Sequence, residues 1–277
     1  MSSYSGPEVH CENHNMSMKT VTSLRRGLQV LRIINGTGGC QIKTLQTMID
    51  LPKPTIIRMV ATLVEAGYVW RNEAGLYKVS AKVLALANRY SADEGLLMAA
   101  RPVLARLRRE TSWPSDLAAF DGDAMVILDT GDDPGTFGLN RSRGSRLPVL
   151  TTSLGRAYLA FREPQMQEEL LAYLLKVEEK RGEARLAPRR LRRILRETKS
   201  QGYSVADGEY LKNTRAIAVP VLVKGEPLAT INLMTVIGAM EMAEVEARFV
   251  APLKAAAREI SETLSDSTPA EGLSAAR

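Results

Sequence analysis

Apolar residues in the first ninety positions recur at helical spacing three times and then alternate along two short segments. Pro54 suits the first turn of the third helix, and Gly67 is suited to end it. The three predicted helices cover residues 21–35, 42–49 and 53–66. The two predicted strands cover residues 68–70 and 76–79. Three short helices and a hairpin indicate a winged helix-turn-helix, which places one helix in the DNA major groove and the hairpin against the backbone.

The pattern after residue 95 predicts antiparallel strands covered by helices, an α+β arrangement. The predicted strands are residues 117–120, 124–128, 216–223 and 228–236, with a further strand or extended loop from Leu139. The predicted helices are residues 96–111, 153–161, 164–175, 188–201 and 243–264. The sequence therefore predicts a DNA-binding domain over residues 19–80, a linking helix over 81–95, a second domain over 96–264, and disordered tails over 1–18 and 265–277.

The helical spacing also predicts which residues of the first domain face its core. The expected inward residues are Leu24, Leu28, Leu31 and Ile34 on the first helix, Leu45, Met48 and Ile49 on the second, and Ile56, Met59, Val60 and Leu63 on the third. This leaves one outward set on the third helix for solvent or DNA: Lys53, Thr55, Ile57, Arg58 and Thr62.

The outward set suits base recognition, because Arg and Thr hydrogen-bond base edges or phosphates and an Ile side chain can contact a thymine methyl. A solvated helix face is the alternative, and Ile57 fits that alternative poorly. Arg25 and Arg26 on the first helix, and Arg71 and Lys78 on the hairpin, are candidates for phosphate contacts, which fix register without reading sequence. Ordinary solubility charges explain these four residues equally well.

Charge is distributed unevenly along the chain. Residues 1–90 hold eleven Lys and Arg against five Asp and Glu, which accounts for the net charge of +6, and the remaining residues are neutral. A basic segment joined to a neutral one favours a polyanion-binding domain followed by a domain with another task.

Composition narrows the class of protein further. The chain has no apolar run of membrane-spanning length, no signal-peptide pattern and only two cysteines, Cys11 and Cys40, which together predict a cytoplasmic protein with no membrane partner. Both histidines lie in the predicted N-terminal tail, so the folded body offers no Ser-His or Cys-His pair. His10, Cys11 and His14 lack the spacing of a zinc site. We therefore predict no catalytic residues, no metal and no cofactor.

Several segments together resemble one family. They are SLRRGLQVL at 23–31, LPKPTIIRMVATLVEAGYV at 51–69, GLYKVSAKVLALA at 75–87, LPVLTTSLGRAYLA at 147–160, GYSVADGE at 202–209 and AIAVPVLVKGEPLATINL at 216–233. Residues 20–264 resemble the IclR (isocitrate lyase regulator) family of bacterial transcription factors. The resemblance implies a winged helix-turn-helix joined by a helix to a GAF-like effector-binding and oligomerisation domain, and dimers that often pair as tetramers. Residues 113–128 look similar to members that control the breakdown of aromatic acids.

The resemblance also places an effector pocket. It makes the junction of Ser153, Leu154 and Gly155 one wall, where the free N–H groups of a helix start can hold a carboxylate; a capping role for Ser153 is the alternative. Asp207 and Glu209 face the pocket by analogy, and Leu147, Ala216, Ile217 and Asn232 complete the expected lining. Where the family usually has Lys, Gly and Cys, this chain has Arg156, Asn213 and Ala216.

These observations predict a transcriptional regulator that binds a double-stranded DNA operator and responds to a small organic acid, with an aromatic carboxylate as the leading candidate. Its other expected partners are further copies of itself, as a dimer or tetramer, and RNA polymerase. The sequence leaves open whether it activates or represses. Two alternatives remain: an enzyme acting on a small organic acid, and a DNA-binding architectural protein. Binding of an acid without turnover would distinguish the regulator from the enzyme. A change in operator affinity that depends on the acid would distinguish it from the architectural protein.

Overall fold

The computed structural model describes residues 21–86, 94–131, 141–181 and 186–266. The chain divides into two compact units, Met1–Tyr90 and Ser91–Arg277. The predicted tail over 1–18, most of the tail predicted over 265–277, and the strand or loop expected from Leu139 lie outside the described residues, although residues 265 and 266 continue the last helix.

The N-terminal unit contains the three helices and the hairpin that the sequence predicts: α1 (Thr22–Gly36), α2 (Ile42–Met48), α3 (Lys53–Glu65), β1 (Val69–Arg71) and β2 (Tyr77–Val79). The two strands are antiparallel, with Trp70 opposite Lys78 and Arg71 opposite Tyr77. The backbone of Cys40 forms a bridge to Tyr77, which extends the small sheet.

Local sequence explains where α3 begins and ends. Pro52 precedes the helix and Pro54 lies in its first turn, where a missing N–H breaks no intrahelical hydrogen bond. At the other end Gly67 has φ of +77°, a left-handed conformation that favours glycine. The Tyr68 N–H donates to the Leu63 carbonyl at 2.9 Å, which completes a Schellman ending.

The core of this unit is small, and only part of the predicted apolar stripe of α1 reaches it. Val30 and Ile34 in the second half of α1 are buried with Leu45 and Ile56. Leu24 and Leu28, expected to face inward, are 63% and 52% exposed. Met48 is also exposed. Helical spacing gives the direction of an apolar stripe but not how far the core extends along it.

The linking segment differs from the predicted helix. Residues Ala81–Leu86 form a 3₁₀ helix without buried residues, and residues 87–93 of the predicted helix lie outside the described part of the chain. A short helix gains most of its stability from packing an apolar face, and neither Leu84 nor Leu86 is buried here.

The C-terminal unit is built on a six-stranded antiparallel sheet of order β5-β4-β3-β8-β7-β6. The strands are β3 (Asp116–Asp121), β4 (Ala124–Thr130), β5 (Arg146–Pro148), β6 (Ser204–Asp207), β7 (Thr214–Val223) and β8 (Glu226–Val236). The two predicted hairpins, β3–β4 and β7–β8, are present. The predicted α+β class is confirmed.

Helices cover both faces of this sheet. They are α4 (Glu94–Thr111), α5 (Ser153–Phe161), α6 (Pro164–Arg181), α7 (Pro188–Gln201) and α8 (Met242–Asp266). Ile217 of β7 packs in the core that contains α4 and α8 residues, and its neighbour Ala218 packs in the core that contains α5 and α7 residues. Successive strand residues thus serve opposite cores. No helix in the described ranges is long and apolar enough to cross a membrane.

An ion pair joins α6 to α7. Arg192 donates to both carboxylate oxygens of Glu168 at distances of 2.9 to 3.1 Å. The hydrogen bonds from Arg192 lower the pKa of Glu168 below its ordinary value, because they favour the charged carboxylate.

Candidate nucleic-acid interface and ligand pocket

The exposed surface of α3 forms a single arc. Ile56 and Val60 are buried in the core of the N-terminal unit, and a rotation of about 100° per residue places Arg58 on the opposite side. Arg58 is exposed, and the neighbouring Ile57 is 45% exposed. An isoleucine this open to solvent beside an arginine is consistent with a surface that contacts another molecule.

Of the other three predicted residues, Thr55 and Thr62 lie on the same side of α3 as Arg58, and Lys53 lies at the start of the helix. Lys53 and Thr62 are exposed, and Thr55 is half-buried. The Thr62 hydroxyl donates to the Arg58 carbonyl at 2.9 Å, so its oxygen can still accept a hydrogen bond. Thr55, Arg58 and Thr62 also border an open groove of about 560 Å³ beside Leu24 and Leu28 of α1.

Three of the four predicted phosphate contacts are exposed, and the fourth is half-buried. Arg25 and Arg26 on α1 and Arg71 on the hairpin are exposed. The guanidinium of Arg71 lies 5.6 Å from the centre of the Tyr77 ring on the opposite strand. Lys78 is half-buried and packs against the loop after α1, where a Cβ at Gly39 would lie 2.7 Å from the Lys78 Cγ.

The hairpin also presents a residue that the sequence did not single out. Trp70 is exposed and lies opposite Lys78 in the strand register. Its neighbour Val69 is buried. Because successive side chains of a strand point to opposite faces, an inward Val69 could have predicted an outward Trp70.

The C-terminal unit contains a cavity beside the start of α5. Six of the nine predicted lining residues border it: Leu147, Ser153, Leu154, Glu209, Ala216 and Asn232. The rest of the lining is Arg141, Thr152, Ala206, Gly208, Tyr210, Leu211, Thr214 and Met234. The cavity has a volume of about 30 Å³, far below the roughly 300–1,000 Å³ of a typical small-molecule site.

Three predicted residues lie away from this cavity. Gly155 packs on the segment before α5, since a Cβ there would lie 2.2 Å from the Val149 carbonyl oxygen. The Asp207 carboxylate accepts a hydrogen bond from Arg215 at 3.0 Å. Ile217 is buried on the face of the sheet that packs against α4 and α8. In the sequence, these three residues lie in the same motifs as residues that do border the cavity, so the motifs alone could not separate the two groups.

The start of α5 is capped by Thr152 rather than by Ser153. The Thr152 hydroxyl oxygen accepts from the Gly155 N–H at 3.2 Å and donates to the Pro148 carbonyl at 2.6 Å. The first N–H groups of a helix have no partner within it, and those of Ser153 and Leu154 are the first in α5. This wall of the cavity can therefore donate to an acceptor atom.

A buried ion pair holds the segment after β6. Arg156 is almost fully buried and donates to the Leu150 carbonyl at 2.9 Å and the Val205 carbonyl at 3.1 Å. Its guanidinium also donates to Glu209 Oε1 at 2.9 Å and to Glu209 Oε2. A two-point Arg–carboxylate contact is geometrically specific, so Glu209 already has a strong partner inside the protein.

A second buried network surrounds Asp116. Its carboxylate accepts from Thr130 Oγ1 at 2.7 Å and from Asn232 Nδ2 at 3.2 Å, and its N–H donates to Asn232 Oδ1 at 2.7 Å. The guanidinium of Arg141 lies 2.8 Å from the Asp116 Oδ2. Asn232, one of the expected lining residues, thus also orients the start of β3.

Arg141 is a site residue that the sequence did not identify. Its side chain is 9% exposed, borders the cavity and also contacts Met234. Its Nε is buried and has no hydrogen-bond acceptor among the residues that the structure describes. In the sequence Arg141 is only the first residue of a basic segment, and its buried partner Asp116 lies on a distant strand, so no local pattern could indicate this contact.

Comparison with known proteins assigns both units. Residues 23–73 match the model of the IclR helix-turn-helix domain, and residues 89–262 match that of the bacterial transcriptional regulator IclR C-terminal domain. The Pca regulon regulatory protein of Pseudomonas putida is 29% identical over 88% of this chain and 84% of its own length. The transcriptional repressor IclR of Escherichia coli K12 is 26% identical over 77% of this chain and 79% of its own.

A solved structure shares the fold. The IclR homologue from Microbacterium hydrocarbonoxydans, crystallised with 4-hydroxybenzoate, is 24% identical, with a TM-score of 0.63 over 88% of this chain and 100% of that one. The two domain models together span most of the residues from 23 to 262, and the curated relatives are named regulators rather than enzymes. The chain belongs to the IclR family and is a DNA-binding transcriptional regulator.

Proposed function

We propose that this regulator binds its operator through α3 and the hairpin, and that a small organic acid bound beside α5 changes its affinity for that operator. The observation that carries the second half of the proposal is the cavity of the C-terminal unit, which is bordered by the start of α5 and by a buried arginine. A ligand shifts an equilibrium between two states only if it binds them with different affinity.

For the DNA contact, Arg58 is the proposed base-reading residue because it lies at the centre of the exposed arc of α3. We assign Ile57 to a thymine methyl, and Lys53, Thr55 and Thr62 to base edges or adjacent phosphates. Arg25, Arg26, Arg71 and Lys78 are proposed phosphate contacts. In a dimer, two such units would bind half-sites separated by about one helical turn or a multiple of it.

An aromatic carboxylate is our leading candidate for the effector. Support comes from the Microbacterium homologue crystallised with 4-hydroxybenzoate and from the similarity to the Pca regulon regulatory protein. The lining offers apolar surface from Leu147, Leu154 and Ala216 for a ring, and the N–H groups at the start of α5 for an oxygen.

Binding of any such acid requires the lining to move, because the present cavity of about 30 Å³ is much smaller than the roughly 300–1,000 Å³ of a typical small-molecule site. Residues 208–213 connect β6 to β7 without regular structure, and Tyr210 there is exposed while bordering the cavity. We infer that this connection changes position when the acid enters.

Self-association is proposed to involve α1 and the segment after β2. Leu24 and Leu28 on α1, and Leu84 and Leu86 in the 3₁₀ helix, are all more than half exposed. Large apolar side chains that are this exposed are candidates for a protein–protein contact. Contacts between C-terminal units would add to this pairing and allow tetramers.

The test combines two measurements. Calorimetry with benzoate, 4-hydroxybenzoate and succinate should detect stoichiometric binding of at least one acid without turnover. The same acid should change the affinity of the purified regulator for DNA fragments that it retains from its source genome, measured by fluorescence anisotropy. Binding of none of the acids, or binding that leaves the DNA affinity unchanged, would contradict the proposal.

A further inference from the structure

We propose that Arg141 binds the anionic group of the effector and makes the pocket select an acid over its uncharged analogue. This inference rests on the proposed function, because it assigns a recognition role within the same pocket. The expected site places carboxylate recognition at Ser153 and the residues that follow it. The structure places a charged donor, Arg141, on the lining of the same cavity.

The first observation is the burial of the charge. The Arg141 side chain is 9% exposed, and its charged partner in the structure is Asp116, which is fully buried. A buried guanidinium is costly unless it is paired and its N–H groups find acceptors. Asp116 also accepts from Thr130 and Asn232, so it would keep two hydrogen bonds if Arg141 moved toward a ligand.

The second observation is a donor without a partner in a side chain that borders the cavity. Arg141 Nε is buried and has no acceptor among the described residues. A buried N–H without an acceptor is unfavourable, and a movement of the side chain toward a ligand oxygen would remove that cost. Since Arg141 borders the cavity, an oxygen bound there is the acceptor that such a movement would reach.

The third observation concerns the other charged residues that were expected in the pocket. Glu209 is engaged by Arg156 through both of its carboxylate oxygens, and Asp207 by Arg215. The first N–H groups of α5 are neutral donors, which serve an amide carbonyl as well as a carboxylate. Arg141 therefore supplies the charge-dependent part of recognition. Arg141 and Ser153 both border this cavity, so we place the carboxylate between them.

The test uses the full-length protein and whichever acid of the panel above binds best, compared with its primary amide. For 4-hydroxybenzoate the amide is 4-hydroxybenzamide. Wild type should bind the acid at least about tenfold more tightly than the amide, since a hydrogen bond to a charged partner is roughly twice as strong as a neutral one. Arg141→Gln should weaken acid binding by at least about tenfold and bring the acid-to-amide ratio close to one.

Arg143→Gln is the matched control. Arg143 lies on the same segment, its side chain is 53% exposed, and it contacts Asp129 rather than the cavity. This variant should bind the acid within about twofold of wild type. Arg141→Lys keeps the charge but lacks Nε, so it should fall between wild type and Arg141→Gln. If Arg141→Gln does not fold, the double variant Asp116→Asn/Arg141→Gln decides the matter, because it removes both charges of the buried pair.

The outcomes separate the two proposals. Failure of wild type to bind any acid of the panel would overturn both the proposed function and this inference. Acid binding by wild type together with an unchanged acid-to-amide preference in Arg141→Gln, or in the double variant Asp116→Asn/Arg141→Gln if the single variant does not fold, would overturn this inference alone. Circular dichroism and thermal unfolding of each variant show whether the C-terminal unit is folded.

Discussion

Arg58 offers a direct test of base recognition at the scale of a single residue. If it contacts a base edge, Arg58→Ala should lower operator affinity by about 1–3 kcal/mol. Its side chain is exposed, so the melting temperature should stay near that of wild type. Fluorescence anisotropy with operator DNA and with scrambled DNA measures the effect, and an equal loss on both DNAs would remove Arg58 from the base-reading set.

Arg71 provides the comparison for Arg58, because the hairpin is assigned to phosphates. Arg71→Ala should weaken binding to operator and scrambled DNA alike, and should reduce the slope of log affinity against log salt by about one. A loss confined to the operator would instead mean that the hairpin reads sequence.

Gly155 illustrates a residue whose importance is packing. An added methyl would overlap the Val149 backbone, 2.2 Å from its carbonyl oxygen, so Gly155→Ala should destabilise the C-terminal unit by about 1–3 kcal/mol. Denaturant unfolding followed by circular dichroism measures this change. Gly27→Ala is a useful control, because open space surrounds that helical glycine and alanine should stabilise α1 by about 0.5–1 kcal/mol. Equal effects of the two changes would contradict the packing argument.

At the scale of elements, the ion pair between α6 and α7 gives a prediction for pH. Arg192 lowers the pKa of Glu168, so the pair stabilises the fold at pH values above the ordinary glutamate pKa, and this contribution disappears as the pH falls through the lowered value. Glu168→Gln should therefore cost a small amount of stability at pH 7, and progressively less as the pH falls through the lowered pKa. Both groups are largely exposed, which keeps the effect modest.

Thermal unfolding of the Glu168→Gln protein and wild type at pH 7 and pH 3 measures this difference. Glu169→Gln is the control, since the Glu169 carboxylate accepts a hydrogen bond from Gln165 on its own helix. A cost for Glu168→Gln that is the same at both pH values would show that the ion pair is not its source.

Elements were predictable where a local pattern defines them. The predicted bounds of α5 match the structure, because Thr152 precedes a compact apolar segment, and the predicted α3 differs by one residue because proline and glycine mark its ends. Strand β6 was missed: its four residues give too short an alternation, and it is held by pairing with β7. The described start of the predicted linking helix, Ala81–Leu86, is a 3₁₀ helix without buried residues.

The residues of the candidate site also divide into those that a sequence motif indicates and those that it does not. Six lining residues could be named because they lie in contiguous motifs around α5, β7 and β8. Arg141 could not, since its role depends on Asp116 and Asn232, which tertiary folding brings to it. The same holds for Arg156, whose sequence context gives no hint of its ion pair with Glu209.

At the scale of the whole molecule, the division into two units predicts the behaviour of a fragment. The unit Met1–Tyr90 has its own buried core, so the isolated fragment 1–92 should fold. It should bind operator more weakly than the full chain, because it lacks the contacts that hold two such units at a fixed spacing and raise their effective concentration. Anisotropy and sedimentation measure affinity and mass, and full-strength binding by a monomeric fragment would contradict the proposed pairing.

The narrow cavity beside α5 has a consequence for the concentration at which the regulator responds. If the binding-competent form is only a fraction of the population, the apparent dissociation constant equals the intrinsic constant divided by that fraction. The Arg156–Glu209 pair, which holds the connection bordering the cavity, then contributes to setting that fraction. Substitutions that never touch the acid could thereby retune the response threshold of a regulator in this family without altering which acid it recognises.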